Sequence, residues 1–292
     1  MTGRIAILGL IAALLATAAA AKDFEQRVAA QSGGRLRVEL ESGSIVIESH
    51  DRDEVRVDAL AAGLGAGRLD FELSAQGDEV RLEGRPRGWM PDVLGSPQVR
   101  VRVRVPSEFS LDIRTGGGAI EIEDLEGEVR ARTSGGAIEM GRISGDVRVE
   151  TSGGAIKAGE VDGDFHARTS GGPIRIFAVS GRVEARTSGG PIEILRAGDR
   201  VDANTSGGAI SVRFSEAPSG VLETSGGDID VEFPEDEGMD LDARTSGGSV
   251  RIDEQIAVRG HVEPTRVEAE LNEGGERLHL RTSGGDIRLR VR

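Results

Sequence analysis

The strongest constraint on the fold is a short Thr-Ser-Gly-Gly repeat that begins at Thr115 and recurs as far as Thr282. The regular copies of Thr-Ser-Gly-Gly, or a close variant, begin at Thr115, Thr133, Thr151, Thr169, Thr187 and Thr205, each 18 residues after the last. Looser copies at Thr224, Thr245 and Thr282 follow the regular ones after steps of 19, 21 and 37 residues. A period of 18 residues is too short for a helical repeat and is typical of a β-solenoid, in which one small strand-and-turn unit stacks on the next.

The residues leading into each Thr alternate between apolar and polar. Phe165 and Ala167 stand four and two residues before Thr169, with His166 and Arg168 beside them. A period of two predicts a strand with one buried face, and it places the Thr inward at the strand end. We expect the Thr hydroxyls to form hydrogen bonds with neighbouring turns.

A second strand follows the Ser-Gly-Gly turn. In the same repeat Ile174 and Ile176 lie five and seven residues after the Thr, Val179 gives a shorter third apolar position, and Gly181 marks another turn. Glycine at the turns would supply backbone angles that other residues avoid. The spacings of 5, 7 and 10 residues do not match the six-residue rhythm of left-handed β-helices. We therefore predict an all-β, single-stranded, right-handed β-solenoid of about ten 18-residue coils.

The N-terminal part of the chain predicts export and a cap. Residues 1–21 combine one cation, an apolar run over 5–16 and an alanine-rich end, which is typical of a signal peptide. Residues 22–110 resemble degenerate β coils that would cap the solenoid, with hairpin turns at 76–78 and near Pro106. Residues 111–292 are the regular solenoid with late insertions, and 36–292 are expected to form one continuous domain.

Composition limits the classes of partner. The chain has no Cys, so it lacks a disulfide framework and a lipid-attachment cysteine, and no membrane anchor is expected after signal cleavage. Its formal net charge is −14, and removing the signal with Arg4 leaves −15. Such a surface argues against nucleic acid and anionic lipid as partners. We predict a periplasmic, secreted or cell-surface protein.

Together these features resemble a known family. The export signal, the degenerate first coil, the segment 103–113 and the serial Thr-Ser-Gly-Gly-x-Ile motif are similar to the bacterial "putative adhesin" family of unknown function, which is related to the head domain of autotransporter adhesins. The resemblance covers roughly residues 36–292. It implies an extracytoplasmic β-solenoid with a surface-interaction role, and its motif carries no catalytic residue.

Metal and ice binding are weaker interpretations of the same repeat. The calcium-binding β-roll needs a regularly repeated Asp, whereas most coils here have Ala or Pro at that position. Asp228 and Asp230 are the acidic pair that could form one local oxygen site, although a solvated turn is the simpler interpretation. Ice binding needs outward Thr rows, and this Thr is predicted to face inward. No metal or cofactor is expected.

A polysaccharide-cleaving β-helix is the enzymatic alternative. Glu121 and Glu139 occupy the same outward position in adjacent coils, close enough for coupled carboxylates. Mixed charges on an exposed sheet are, however, already required for solubility and cross-strand pairing. The four His residues show no Ser-His-Asp or metal-ligand spacing. We therefore predict no catalytic residue.

Two surfaces are candidates for ligand contact. The first is the segment around Arg87 and Trp89, in which the chain's only Trp could stack on a sugar ring or plug the first coil. The second is the outward ladder that contains Arg132, Arg168 and Arg186.

The insertion at 255–276 is long enough for a hairpin leaving the stack. Its apolar residues, which could pack it back onto the last coils, are Val258, Val262, Val267 and Leu271.

The function predicted from sequence is that of a non-enzymatic, exported, adhesin-like scaffold or cell-envelope interaction protein. Its partner would be an envelope protein or a surface glycan. The alternative is a carbohydrate-binding or polysaccharide-cleaving β-helix.

Overall fold

The computed structural model describes residues 21–63, 65–87 and 97–292. This part of the chain contains 29 β-strands and one short 3-10 helix, Ala66–Arg68. The strands form two sheets that enclose a continuous apolar core. Sheet 1 has 14 strands and includes those that lead into the repeat Thr, whereas sheet 2 has 15 and includes those after the Ser-Gly-Gly turn. The predicted all-β solenoid is confirmed.

The central coils are parallel and stack in register. Ile174 pairs with Ile156 on one side and Ile192 on the other, so equivalent residues 18 apart become neighbours. The alternation follows the prediction, since Ile174 is fully buried and Thr169 is 3% exposed. The strands of sheet 1 here are β8 (Ser110–Thr115), β11 (Val129–Thr133), β14 (Val147–Glu150), β16 (Phe165–Arg168), β18 (Val183–Arg186), β20 (Val201–Thr205) and β22 (Gly220–Thr224).

Sheet 2 contains the partner strands and the short third strands. The third strands are separate only in the early coils, at β10 (Leu125–Glu126) and β13 (Ile143–Ser144), and later coils continue one longer strand through this position. The remaining strands are β9 (Ile120–Ile122), β12 (Ile138–Met140), β15 (Ile156–Asp162), β17 (Ile174–Val179), β19 (Ile192–Ala197), β21 (Ile210–Phe214) and β23 (Ile229–Phe233).

Glycine serves two different purposes in the turns. A Cβ on Gly154, the second glycine of its Ser-Gly-Gly turn, would lie 1.9 Å from the carbonyl oxygen of Gly136 in the adjacent coil. The prediction that glycine supplies unusual backbone angles is wrong for Gly154, because its φ is not positive. Glycine is needed there because the adjacent coil leaves no room for a side chain. That explanation holds at the other turn, where Gly145 has φ 149°.

At the N-terminal end the order of strands in space differs from their order in the chain. In both sheets the coil β2–β3 lies between the later coil β6–β7 and the first regular coil. Antiparallel strands β1, β4 and β5 extend the sheets beyond it. The strands are β1 (Ala21–Ala29), β2 (Arg35–Leu40), β3 (Ser44–His50), β4 (Glu54–Ala62), β5 (Leu69–Gln76), β6 (Glu79–Pro86) and β7 (Gln98–Pro106).

The two hairpins predicted in this region have different outcomes. β5 and β6 form the hairpin around Gly77, which has φ 65°. The hairpin predicted near Pro106 is wrong, because β7 and β8 belong to different sheets and the chain crosses between them there. β7 pairs in parallel with β3 instead.

The C-terminal end repeats this interleaved arrangement. The last coil, β28–β29, is inserted between β22–β23 and the earlier coil β24–β25. The strands are β24 (Met239–Thr245), β25 (Val250–Ile252), β26 (Val258–Glu263), β27 (Arg266–Leu271), β28 (Arg277–Thr282) and β29 (Ile287–Val291).

The late insertion forms a hairpin, but it does not leave the stack as expected. β27 pairs antiparallel with β24, and β26 pairs with β27, so the hairpin extends sheet 1. Val267 and Leu271 are buried, whereas Val258 and Val262 are 37% and 58% exposed. Only the second strand of the hairpin therefore packs its apolar residues on the core.

No helix in the described ranges is long and apolar enough to cross a bilayer. The predicted signal peptide lies outside the described residues apart from Ala21, the first residue of β1.

Candidate ligand-binding face

The Thr ladder is structural. All nine repeat Thr side chains are buried, with exposed fractions of 2–7%. Thr133 Oγ1 donates a hydrogen bond of 2.8 Å to the carbonyl oxygen of Gly118, and every other repeat Thr donates to a glycine carbonyl of the adjacent coil in the same way. The predicted hydrogen-bonding role is confirmed, and these hydroxyls are unavailable to an outside ligand.

The structure brings together three of the five residues singled out from sequence. Arg132, Arg168 and Arg186 project from the outer face of sheet 1 on β11, β16 and β18, with β14 between the first two. Arg87 lies elsewhere, at the end of the N-terminal hairpin, where its guanidinium contacts Asp70 at 2.7 and 3.0 Å. Trp89 lies outside the described residues.

A larger cationic surface surrounds those three arginines. Five neighbouring strands, β8, β11, β14, β16 and β18, each present two outward residues, one and three positions before the Thr. We call these ten residues the arginine face. Six arginines, three carboxylates and one His give it a formal charge of +3 with neutral His, on a chain of −14. Its members are Asp112, Arg114, Arg130, Arg132, Arg148, Glu150, His166, Arg168, Glu184 and Arg186.

Like charges are neighbours in register on this face. Arg114 pairs with Arg132, and Arg168 pairs with Arg186. In the second column Arg130 pairs with Arg148. Like charges directly opposite each other on adjacent strands are destabilising. Folding alone therefore does not account for this arrangement.

The carboxylates neutralise only part of the cationic charge. Glu150 contacts Arg132 and, at 3.5 Å, Arg148. Glu184 contacts Arg186 and lies 2.9 Å from His166 Nδ1. These side chains line two shallow grooves on the face.

Arg168 differs from its neighbours in its pairing. Among the described residues no carboxylate lies within 4.0 Å of the Arg168 guanidinium. The face therefore retains cationic hydrogen-bond donors that point toward solvent.

Some surface residues were missed from the sequence. The sequence-based candidates came from the column of residues next to the Thr. Arg130 and Arg148 belong to a second column of outward residues, two positions earlier in each strand. The same alternation would have indicated them. Phe177 and Leu195 are also outward, 46% and 39% exposed, at equivalent positions of adjacent coils on sheet 2.

The acidic candidates of the alternative interpretations are engaged elsewhere. Glu121 and Glu139 are neighbours on sheet 2, and Glu139 Oε1 lies 2.7 Å from Lys157 Nζ. Arg288 Nη1 contacts Asp228 at 2.9 Å and Asp230 at 3.5 Å.

Within the part of the chain that the structure describes, no three His, Asp or Glu side chains cluster to hold a metal. The Asp228 pair instead forms ionic contacts between coils.

Ion pairs fix both ends of the solenoid. Hydrogen bonds from Arg87 and Lys22 hold the pKa of Asp70 below its usual value. The Arg37 guanidinium lowers the pKa of Glu39, and the backbone N–H of Ser249 lowers that of Asp286. Asp70 and Asp286 bind residues of neighbouring segments at the two ends, whereas Glu39 pairs with Arg37 within β2, and all three contacts are structural.

Solved structures and one protein family are similar to the chain. No curated protein matches the chain. A solved structure described as a "putative adhesin" from Parabacteroides distasonis is 10% identical, with a TM-score of 0.52, over 92% of this chain and 97% of that one. One so described from Bacteroides fragilis is 11% identical, with a TM-score of 0.39, over 93% and 97%.

At such low identity the Parabacteroides likeness shows a shared fold and nothing more about activity. The sequence profile of one family covers residues 34–290, which is nearly the whole solenoid and both of its ends. The chain belongs to the Toastrack DUF4097 family.

Proposed function

We propose that the protein is an exported, non-enzymatic, adhesin-like module of the cell envelope that binds its partner through the arginine face. The partner would be a surface glycan or another envelope component. The Parabacteroides distasonis structure of similar fold is described as a "putative adhesin", which is consistent with this proposal.

The arginine face is the observation that carries the proposal. Six arginines on five adjacent strands give a locally cationic surface on an acidic chain. The stacked strands hold these side chains on a rigid scaffold, which limits the conformational entropy lost on binding. A flat face of this kind suits an extended partner better than a small molecule, which usually needs an enclosed pocket.

The position and the ion pairs of the candidate carboxylates support a non-enzymatic function. A glycosidase places two carboxylates across a cleft around the scissile bond. Glu121 and Glu139 are instead neighbours on an open sheet face, and Glu139 is bound to Lys157. Asp228 and Asp230 are likewise bound by a cation, the guanidinium of Arg288.

A binding experiment on envelope material tests the proposal. The purified protein is incubated with envelope polysaccharide and protein fractions, and both retention and released products are measured. We expect saturable retention without products, and we expect it to be lost in the double variant Arg168→Ser, Arg186→Ser.

The matched control is Arg175→Ser, Arg213→Ser, which removes the same charge from sheet 2. Retention that is unaffected by the first variant would refute the assignment of the face. Released products would refute the non-enzymatic function.

A further inference from the structure

We infer that the arginine face binds a linear acidic polysaccharide, lying along the solenoid axis across the five strands. The inference rests on the proposed function and specifies its ligand class. It follows from the dimensions of the face, the chemistry of its donors and the charges that border it.

The dimensions match one extended polymer chain. The two columns of outward residues are two positions apart along each strand, or about 7 Å. Five strands spaced about 4.8 Å apart make the columns about 19 Å long. The columns run perpendicular to the strands, so a polymer that follows them meets one or two cationic positions at nearly every coil.

The donors match anions on a polymer. Each guanidinium presents a planar set of N–H donors that can engage a carboxylate or sulfate through two hydrogen bonds. Arg168 and Arg186 are neighbours, so one anion can lie between them and offset their repulsion. A bound polyanion would offset the similar repulsion of Arg114 with Arg132.

Acidic residues stand at both ends of the column next to the Thr and along part of the strand starts. The column next to the Thr continues to Glu39 on β2 at one end. At the other end it reaches Asn204 and then Glu223. Near the first residues of the strands, the carboxylates of Asp146 and Asp164 each accept a hydrogen bond from a backbone N–H of the next coil. These hydrogen bonds fix the two carboxylates at the turns. A polyanion is therefore attracted most strongly to the part of the column that lies between Glu39 and Glu223.

A polysaccharide fits the face better than a single-stranded nucleic acid. Proteins that bind single strands combine cations with aromatic side chains on which bases stack. The arginine face contains no Phe, Tyr or Trp, and its one aromatic ring, the His166 imidazole, lies against Glu184. Hydroxyl-rich, anionic sugar units need hydrogen-bond donors and positive charge, and the face supplies both.

The test measures binding of the intact protein to defined polymers. Polygalacturonate carries carboxylates, dextran sulfate carries sulfates, and unmodified dextran is the neutral control. We expect saturable binding to one or both anionic polymers and none to dextran. Arg168→Ser, Arg186→Ser should weaken it on the order of ten-fold, from the loss of two exposed charge pairs.

Galacturonate oligomers provide a second readout. Affinity should rise with oligomer length up to about four or five charged units, the number that spans the face, and should then level off. The difference between carboxylate and sulfate polymers identifies which anion the face prefers.

Three results would overturn the inference. They are equal weakening in Arg175→Ser, Arg213→Ser, binding of single-stranded DNA as tight as that of the acidic polysaccharides, and no binding to either anionic polymer. If the last result occurred while the Arg168 and Arg186 variant still lost envelope retention, the ligand class would be wrong and the proposed function would stand. If the variant kept envelope retention, the proposed function would fail too.

Discussion

Thr169 Oγ1 donates a 2.9 Å hydrogen bond to the carbonyl oxygen of Gly154 in the adjacent coil and accepts one of 3.3 Å from Gly172 N–H. The hydroxyl thus satisfies a carbonyl of one turn and an amide of the next. Because the repeat Thr is buried, neither backbone group has water as an easy substitute.

The first prediction concerns this hydroxyl. Thr169→Val keeps the shape of the side chain but leaves both backbone groups unsatisfied. It should lower the free energy of unfolding by about 1–3 kcal/mol in urea titrations. Ser170→Ala, at the exposed neighbouring position, is the control and should change it by less than about 0.5 kcal/mol. Equal stability of Thr169→Val and the parent would contradict the structural role of the ladder.

The second prediction compares adjacent glycines. A Cβ at Gly154 would overlap the Gly136 carbonyl oxygen at 1.9 Å, whereas at Gly153 the nearest atom is 3.8 Å away. Gly154→Ala should therefore force two coils apart and lower stability by about 1–3 kcal/mol or more. Gly153→Ala should be neutral or slightly stabilising. Similar thermal midpoints for the two variants would show that close stacking does not explain the second glycine.

The third prediction separates binding from stability on the arginine face. Arg168 neighbours Arg186 in register and has no carboxylate within 4.0 Å among the described residues. Arg168→Thr should change stability by less than about 0.5 kcal/mol, because it removes the repulsion from Arg186 on one side and the attraction of Glu150 on the other. Chemical denaturation measures this. A loss of more than about 1 kcal/mol would mean that folding requires this arginine.

The fourth prediction concerns acid. The Ser249 backbone N–H lowers the pKa of the Asp286 carboxyl. A lowered folded-state pKa contributes stability above the unfolded pKa of about 4, and this is lost as pH falls through the folded value. The difference in unfolding free energy between the parent and Asp286→Asn should therefore be present at pH 6 and shrink below pH 4. Urea titrations across this range measure it, and a difference that grows on acidification would contradict the assignment.

The repeating part of the fold could be predicted from sequence because each coil repeats the same local information. The inward Ile174 and the buried Thr169 follow from alternation alone. The stacking order of the ends could not be predicted, since coils that resemble one another can pair with several partners. Thr282 follows Thr245 in the chain, yet its strand lies between those of Thr224 and Thr245. β27 pairs with the far side of β24, which leaves β24 next to the last coil.

The candidate site was only partly visible in the sequence. Arg132, Arg168 and Arg186 were identified as one ladder, but its significance depends on what lies beside it. The same alternation could have indicated Arg130 and Arg148, but their pairing across strands and the acidic residues beside the face become clear only when the register is known. The net charge of the chain indicated an acidic surface. It could not indicate the local cationic area, because opposite charges cancel in the sum.

Arginine footprinting shows whether the arginine face is the surface that a polyanion covers. The protein is treated with an arginine-selective reagent with and without polygalacturonate, and modification is quantified at each arginine by mass spectrometry. We expect protection of Arg132, Arg168 and Arg186, with Arg175 and Arg213 on sheet 2 modified equally in both samples. Uniform protection, or protection confined to sheet 2, would contradict this expectation.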